Sequence, residues 1–177
     1  MILKLFTPKY YIHRYDALTP NYLKARGISV LLCDIDNTLV AHDVALPDEQ
    51  VVQFIQRFID AGIHVIFVSN NVEERVKKFV EGCGVQLNFY PFAMKPLSKT
   101  YRKVLKEYGY NRKQVAMLGD QLLTDILGAN WMGFYTVLTA PIVQRDLSFT
   151  KVNRIFESAI FYLLKRTGKL KKGDYDA

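Results

Sequence analysis

The sequence predicts a single α/β domain built on a doubly wound, parallel sheet of five strands. From Val30 onward, short apolar segments alternate with helix-like segments, which is the pattern of parallel strands joined by crossover helices. The apolar segments are dense in Val, Ile, Leu and Phe, as expected for strands covered on both faces. With 177 residues, half of them hydrophobic, the chain is long enough to form one full core.

Strands are expected, in chain order, at residues 29–35, 63–69, 85–89, 114–119 and 134–138. Proline and acidic side chains favour the first turn of a helix, and glycine favours the position after its last turn. The triplet 47–49 (Pro-Asp-Glu) therefore opens the first helix, and Gly62 ends it. The remaining helices are predicted at 72–82, 97–108 and 122–132.

The two ends of the chain carry its positive charge. Of the formal net charge of +7, residues 1–29 contribute +4 and residues 151–177 another +4, which leaves −1 in between. We divide the single domain 1–177 into an N-terminal arm (1–27), a core (28–140) and a C-terminal helix with a basic tail (150–177). The aromatic and basic arm either packs on its own domain or lies at a lipid or nucleic-acid surface.

The C-terminal segment is predicted to be an amphipathic helix. Its apolar residues follow i, i+3, i+4 spacing, and five basic residues come next; the two sets are Val152, Ile155, Phe156, Ala159, Ile160, Leu163 and Leu164, then Lys165, Arg166, Lys169, Lys171 and Lys172. Such a helix either covers the sheet, with cations at its negative end, or contacts an anionic membrane as a peripheral element.

Several classes of protein do not match this sequence. Cys33 and Cys83 are far apart and lack the neighbours typical of zinc or redox sites. The first residues do not resemble a signal peptide, and no apolar run approaches the roughly 20 residues that span a bilayer. We therefore expect a reduced, cytoplasmic protein.

Polar side chains follow the strands, and the carboxyl ends of parallel strands share one edge of a sheet. They are Asp34, Asp36 and Thr38 after the first strand, Ser69 and Asn70 after the second, Lys95 beyond the third, and Asp120 with Asp125 after the fourth. Taken alone, a pair of aspartates at i and i+2 is weak, because it also occurs as a Mn²⁺ site or as a solvated strand end. Their placement after successive strands predicts one site.

Each of these residues has a task if the substrate is a phosphate ester. Asp34 is the candidate nucleophile, and Asp36 is the candidate acid and base that protonates the leaving group and then activates water. A divalent cation would offset the carboxylate charge, and Mg²⁺ suits the oxygens of Asp34 and Asp120 and a backbone carbonyl near Asp36, with Asp125 completing or orienting the shell. The candidate phosphate-binding residues are Thr38, Ser69, Asn70 and Lys95.

These residues resemble the four ordered motifs of haloacid dehalogenase-type (HAD) phosphatases. The motifs are Asp34-Ile-Asp36-Asn-Thr38-Leu, Ser69-Asn, Lys95-Pro, and Gly119-Asp120-Gln-Leu-Leu-Thr-Asp125. The resemblance implies a Rossmann-like sheet, Mg²⁺, an aspartyl-phosphate intermediate, and the roles given above. Finer details, such as Val-Ser-Asn-Asn followed by Glu74-Arg75-Val76, resemble the class IIIA, YqeG-type branch, which is similar to mitochondrial phosphatidylglycerophosphate phosphatases. Arg75 itself could bind a substrate anion or pair locally.

The spacing between the motifs leaves no room for an inserted cap domain, because one helix and one strand occupy residues 37–68. An open site favours a large substrate, or closure by another subunit in an oligomer. The leading hypothesis is hydrolysis of phosphatidylglycerophosphate in phospholipid synthesis. The alternatives are a phosphatase for a phosphoprotein, nucleotide or sugar phosphate, and a non-catalytic module associated with RNA or the ribosome. Every catalytic position holds a competent residue, which argues against the non-catalytic module, and we do not expect nucleic acid as a partner.

Overall fold

A computed structural model describes residues 2–143 and 151–170 of the chain. Six parallel strands form one sheet in the order β1-β6-β5-β2-β3-β4. The strands are β1 (Tyr10–Ile12), β2 (Val30–Cys33), β3 (His64–Val68), β4 (Asn88–Tyr90), β5 (Val115–Gly119) and β6 (Tyr135–Thr139). The predicted doubly wound α/β fold is confirmed.

Helices connect the strands. They are α1 (Pro20–Lys24), α2 (Glu49–Asp60), α3 (Glu73–Gly82), α4 (Lys99–Tyr108), α5 (Leu127–Met132) and α6 (Lys151–Arg166). Short 3₁₀ turns occur at Ile2–Phe6, Tyr15–Ala17 and Arg112–Gln114, and a π-helical turn occurs at Leu122–Ile126. As the sequence suggests, the side chain of Asp48 caps α2, because its carboxylate accepts a hydrogen bond from Val51 N at 2.8 Å.

The two faces of the sheet carry separate apolar cores. Leu31 and Cys33 of β2 pack into the larger core with α2 and α3. Val30 and Leu32 point to the opposite face and pack with α4 and α5. Because successive side chains of a strand point to opposite faces, a strand covered on both sides must be apolar throughout. This requirement explains the uninterrupted apolar sequence before Asp34.

The predicted count of five strands is wrong, because the N-terminal arm contributes a sixth. β1 pairs with β6 in parallel, with Tyr10 opposite Val137, and the side chain of Ile12 is fully buried. A strand of three residues has too little alternation to be seen in a sequence. Its pairing depends on an edge strand more than a hundred residues away, which local patterns do not report.

The predicted helix at 122–132 is divided in two. Its first part, Leu122–Ile126, is a π-helical turn, and α5 begins only at Leu127. The Gln121 carbonyl accepts hydrogen bonds from both Asp125 N and Ile126 N, at 3.1 and 3.2 Å. π-helical turns insert one extra residue into a helix and are frequent at functional sites. This one holds Asp125.

The C-terminal helix is only partly covered. Leu164 is fully buried, whereas Phe156 and Leu163 are 61% and 45% exposed. The predicted apolar face is therefore divided between the core and solvent. Lys171 and Lys172 of the predicted basic tail lie outside the described residues. Within the described part of the chain, none of the helices has the length and hydropathy needed to cross a membrane.

Candidate active site

The candidate site lies where the sheet reverses its winding direction. From β2 the chain continues to β3 and β4 on one side, and then returns to β5 on the other side of β2. In doubly wound sheets ligands bind at this switch point, outside the carboxyl ends of the strands. Asp34 follows β2 there, with its backbone N bonded to Leu118 O at 3.0 Å, and Asp120 follows β5.

A buried lysine joins two of the predicted carboxylates. Nζ of Lys95 lies 2.7 Å from Oδ1 of Asp34 and 2.7 Å from Oδ1 of Asp125. The side chains of these three residues are at most 8% exposed. Charges removed from water require close partners, and this ammonium group has two. The structure therefore brings together residues that lie up to 91 positions apart in the sequence.

The loop before Lys95 is held by Asn70. The Asn70 side chain donates to Lys95 O at 3.1 Å and accepts from Lys95 N at 2.7 Å. Phe92 and Met94 in this loop adopt positive φ values of 46° and 56°, which are uncommon for residues other than glycine. The amide of Asn70, expected from the sequence to contact phosphate, thus aims the lysine by holding its backbone.

Glycine at the end of β5 makes room for Asp125. A Cβ atom on Gly119 would lie 2.3 Å from both Cγ and Oδ2 of Asp125, which is far inside van der Waals contact. The backbone N of Gln121 donates to Asp125 Oδ2 at 3.1 Å. The glycine and the π-helical turn therefore place the Asp125 carboxylate directly against the strand and beside the lysine.

Three buried carboxylates form a group that fits a divalent cation. Asp34, Asp120 and Asp125 each offer an oxygen, and these oxygens all lie within 4.8 Å of one another. The Thr38 hydroxyl lies between two of them, 3.2 Å from Asp34 Oδ2 and 3.2 Å from Asp120 Oδ1. With Lys95 the ionised cluster has a net charge of −2, which a divalent cation would neutralise.

The acidity of the cluster reflects its burial. Burial, together with the neighbouring charges of Asp125 and Asp34, raises the pKa of Asp120 well above its ordinary value. Burial also raises the pKa of Asp125, to about 6, against the opposing charge of Lys95. Burial alone would lower the pKa of Lys95, but Asp125 and Asp34 raise it above its ordinary value. The lysine is therefore charged, and the carboxyl groups of Asp120 and Asp125 hold their protons more tightly than they would in water.

Asp36 lies outside this group of three. Its carboxylate accepts hydrogen bonds from Asn71 Nδ2 at 3.0 Å and from Arg75 Nη2 at 2.9 Å. Burial raises the pKa of Asp36, Asn71 lowers it, Asp34 raises it and Arg75 lowers it, and the net direction is upward. The structure thus separates the predicted acid and base from the group of side chains that could hold a metal.

Sequence reasoning missed two asparagines beside the site. Asn37, at φ 62°, exchanges two side-chain hydrogen bonds with the backbone of Val143, of 2.7 and 3.0 Å. Asn71 contacts Asp36, and its backbone N donates to Ser69 Oγ at 3.1 Å. Both residues directly follow a predicted site residue, and adjacency was the only available signal. Arg75 was identified as a candidate, and here it pairs with Asp36.

The chain matches a known family and a curated protein. The family model described as haloacid dehalogenase-like hydrolase matches residues 4–133. Among curated proteins, the chain is 34% identical over 171 residues to "Probable phosphatase YqeG" of Bacillus subtilis (strain 168), covering 97% of this chain and 98% of that protein.

Solved structures share the fold. Deoxy-D-mannose-octulosonate 8-phosphate phosphatase from Haemophilus influenzae, in its cobalt-bound form, is 18% identical with a TM-score of 0.55, covering 84% of this chain and 96% of that one. A Legionella pneumophila protein described as a HAD superfamily (subfamily III A) hydrolase is 21% identical with a TM-score of 0.50, covering 68% and 70% of the two chains. At these identities the likeness concerns the fold alone.

Proposed function

The chain belongs to the haloacid dehalogenase-like hydrolases and is an enzyme of that family; we propose that it is a magnesium-dependent phosphatase that acts on phosphatidylglycerophosphate. The products are phosphatidylglycerol and inorganic phosphate. One observation carries the phosphatase chemistry: the Lys95 ammonium lies 2.7 Å from the carboxylates of both Asp34 and Asp125. A nucleophile, a positive charge and candidate metal ligands thus meet at one point.

In the first step we assign the attack to Asp34. One of its oxygens forms a bond to phosphorus while the bond between phosphorus and the leaving oxygen breaks. Protonated Asp36 transfers its proton to that oxygen, so that the alcohol leaves neutral. The result is an aspartyl-phosphate on Asp34 and an ionised Asp36.

In the second step Asp36 acts as the base. Its carboxylate takes a proton from a water molecule as the water oxygen attacks phosphorus. The bond between phosphorus and the Asp34 oxygen breaks, which releases inorganic phosphate and restores both side chains. The raised pKa of Asp36 suits both halves of this cycle, because it lies nearer to neutral pH than the pKa of a solvated aspartate. The group can therefore give up and take back a proton more readily.

Lys95, Thr38 and Ser69 are proposed to hold the transferred phosphoryl group. A buried ammonium interacts strongly with phosphoryl oxygens because little water screens it, and Lys95 is only 6% exposed. The side chains of Thr38 and Ser69 are also buried at the same sheet edge. Asn70 contributes by holding the backbone of Lys95.

The proposed cation is Mg²⁺, held by Asp34, Asp120 and Asp125. An all-oxygen carboxylate set suits a hard cation, and the net charge of −2 in the cluster favours a divalent one. When bound, the cation supplies Lewis-acid polarisation of a phosphoryl oxygen and charge neutralisation. The residues themselves remain the attacking, protonating and orienting groups.

An apolar rim supports the choice of a lipid substrate. Between Asp34 and Lys95 the chain forms only α2, β3, α3 and β4. No inserted domain therefore covers the site. Large apolar side chains 44–59% exposed stand in the loops that border it: Val44, Leu46, Val72, Phe92, Met94 and Leu97. Hydrogen bonds connect these loops to the site, since Phe92 N donates to Asn71 O and Arg75 donates to Val44 O. Grouped exposed apolar residues mark interaction surfaces.

Helix α6 offers a second contact with a membrane. Phe156, Tyr162 and Leu163 are 45–62% exposed, and Lys165 and Arg166 end the helix. Aromatic and basic side chains together favour the interface of an anionic bilayer. We propose peripheral binding at the cytoplasmic face of a membrane.

The direct test is phosphate release from phosphatidylglycerophosphate in mixed micelles containing Mg²⁺, with Asp34→Asn as the matched control. The amide keeps the size of the side chain but lacks the nucleophilic charge. Release by the wild type that the variant lacks supports the proposal. Wild-type release no greater than that of the variant would reject this substrate.

A panel of soluble esters separates the alternatives. Phosphopeptides, nucleotides and sugar phosphates are compared with the lipid by kcat/KM. A soluble ester turned over much faster than the lipid would reassign the substrate while leaving the phosphatase mechanism intact. The same two acids can be tested in cells that lack the gene. If the Asp34→Asn and Asp36→Asn variants both still complemented the deletion, a non-catalytic module would be the better description.

A further inference from the structure

Two side chains from the segment after β3 hold the Asp36 carboxylate, one on each oxygen. Arg75 Nη2 donates to Oδ1 at 2.9 Å, and Asn71 Nδ2 donates to Oδ2 at 3.0 Å. The side chains of Arg75 and Asp36 are only 14% and 19% exposed. Two donors on separate oxygens determine both the position and the rotation of the carboxyl group, and little water competes with them.

Arg75 also connects Asp36 to the loop that precedes α2. The same Nη2 donates to Val44 O at 2.6 Å, and Nη1 donates to Ala45 O at 3.1 Å. One guanidinium group therefore joins three segments: the loop after β2, the loop before α2, and the first turn of α3. A lysine could not make these contacts together, because its ammonium lacks the planar arrangement of donors.

The position of Arg75 in its helix is electrostatically unfavourable. It lies in the first turn of α3, at the end where the helix dipole favours negative charge. Glu73 and Glu74, at the same end of the helix, carry the negative charge that the dipole favours. A positive side chain there is compensated by its contact with Asp36, so its placement points to that contact and not to helix stability.

We propose that Arg75, together with Asn71, is a positioning residue that aims the Asp36 carboxyl group at the leaving oxygen of the substrate. This inference rests on the proposed role of Asp36 as proton donor. It excludes direct binding of the substrate phosphate as the main role of Arg75. Its consequence is selective for the first step: loss of Arg75 should slow formation of the aspartyl-phosphate from esters whose leaving group needs a proton, and spare this step for esters whose leaving group departs as a stable anion.

The test compares two leaving groups in the full-length protein with Mg²⁺. p-Nitrophenyl phosphate releases p-nitrophenolate without needing a proton, whereas an alkyl phosphate must release a protonated alcohol. The comparison uses kcat/KM, because this constant reports the steps up to departure of the leaving group and not the later hydrolysis that both esters share. We expect Arg75→Met to lower kcat/KM on the alkyl ester by about 10- to 100-fold, since misaiming removes only part of the roughly 100- to 10,000-fold that general acid catalysis supplies, and on the aryl ester by less than about threefold. Arg102→Met, at an exposed site on α4, is the matched control and should change neither.

A double-mutant cycle identifies the partner. In an Asp36→Asn background, Arg75→Met should add less than about threefold on the alkyl ester, because residues that act through one another are not additive. Arg75→Lys should restore only part of the loss. If Arg75→Met fails to fold, as judged by circular dichroism, Asn71→Ser removes the other donor and should show the same dependence on the leaving group.

Three results would overturn the inference: equal losses of kcat/KM on both esters at unchanged KM, equal losses on both esters with a raised KM, or additive losses with Asp36→Asn. The first would indicate a purely structural role, and the second a substrate contact. The proposed lipid substrate can be rejected independently of the role of Arg75. If the wild type ignores phosphatidylglycerophosphate but cleaves another alkyl phosphate, that ester serves for the comparison and the role of Arg75 is still decided.

Discussion

Removing divalent cations should make the stability of this protein fall as pH rises. The perturbation is EDTA treatment followed by a change of pH from 4 to 7. Asp125 has a pKa of about 6 in the folded protein, against an ordinary value of 3.8. The folded state therefore binds this proton more tightly than the unfolded chain, and the free energy of unfolding decreases between these two pH values.

The magnitude follows from the same two pKa values. At ~1.36 kcal/mol per pH unit, the difference between about 6 and 3.8 corresponds to about 3 kcal/mol in full, of which roughly 2 kcal/mol is lost between pH 4 and pH 7. The free energy of unfolding of a typical domain is roughly 5–15 kcal/mol, so this contribution is a large part of it. Asp120 has a raised pKa as well, so it acts in the same direction. Mg²⁺ binds the deprotonated carboxylates and should restore stability at pH 7, by about 2.7 kcal/mol at 100 times its Kd.

Urea unfolding followed by circular dichroism, at pH 4, 5, 6 and 7 with EDTA or Mg²⁺, measures these effects. Asp125→Asn is the control, because an amide does not titrate and the Asp125 contribution to the pH slope should disappear. A metal-free wild type whose stability is constant or rises over this range would refute the reasoning. So would an identical slope in wild type and variant.

Three further predictions concern packing, a buried acid and the rim. Gly119→Ala should destabilise the protein by about 1–3 kcal/mol in thermal unfolding and abolish phosphatase activity, because the new Cβ displaces Asp125; full activity would contradict the close contact. Glu157→Gln keeps an oxygen that accepts the hydrogen bond from Leu123 N, but it removes a carboxyl group whose pKa is raised by burial. In the same urea assay, the stability of this variant should decline less with rising pH than that of the wild type. Phe92→Ser should raise KM for micellar lipid by at least about tenfold, the lower end of what ~1.5–3 kcal/mol for burying a phenyl ring implies, and leave soluble esters unchanged; equal effects on both would exclude a lipid contact.

The sheet and the centre of the site could be predicted because they depend on local patterns. Asp34 and Asp120 each follow an uninterrupted apolar strand, and the geometry of a parallel sheet brings such strand ends together. Lys95 belongs to the same class, since it lies in the loop beyond β4. These predictions required no knowledge of side-chain contacts.

The remaining features depend on contacts between distant residues. The partner of Arg75 could not be read from the sequence, because a helix N-terminus gives no information on which carboxylate lies opposite. The amide of Asn70 was assigned to phosphate, but its two hydrogen bonds go to the backbone of Lys95. The π-helical turn at Asp125 was also hidden, because the surrounding residues have ordinary helical character. Each of these details is a tertiary interaction of a polar side chain.

The pairing of β1 with β6 places the first and last strands of the described sheet side by side. Lys9 N donates to Thr136 O and lies 127 positions from it. On the ribosome, β1 emerges first but has no partner until nearly all of the sheet has been synthesised. Contacts of such long range close late and slow folding. Nascent chains of this protein should therefore carry β1, with its two tyrosines, unpaired for most of their synthesis. During this period the segment is available for binding by chaperones.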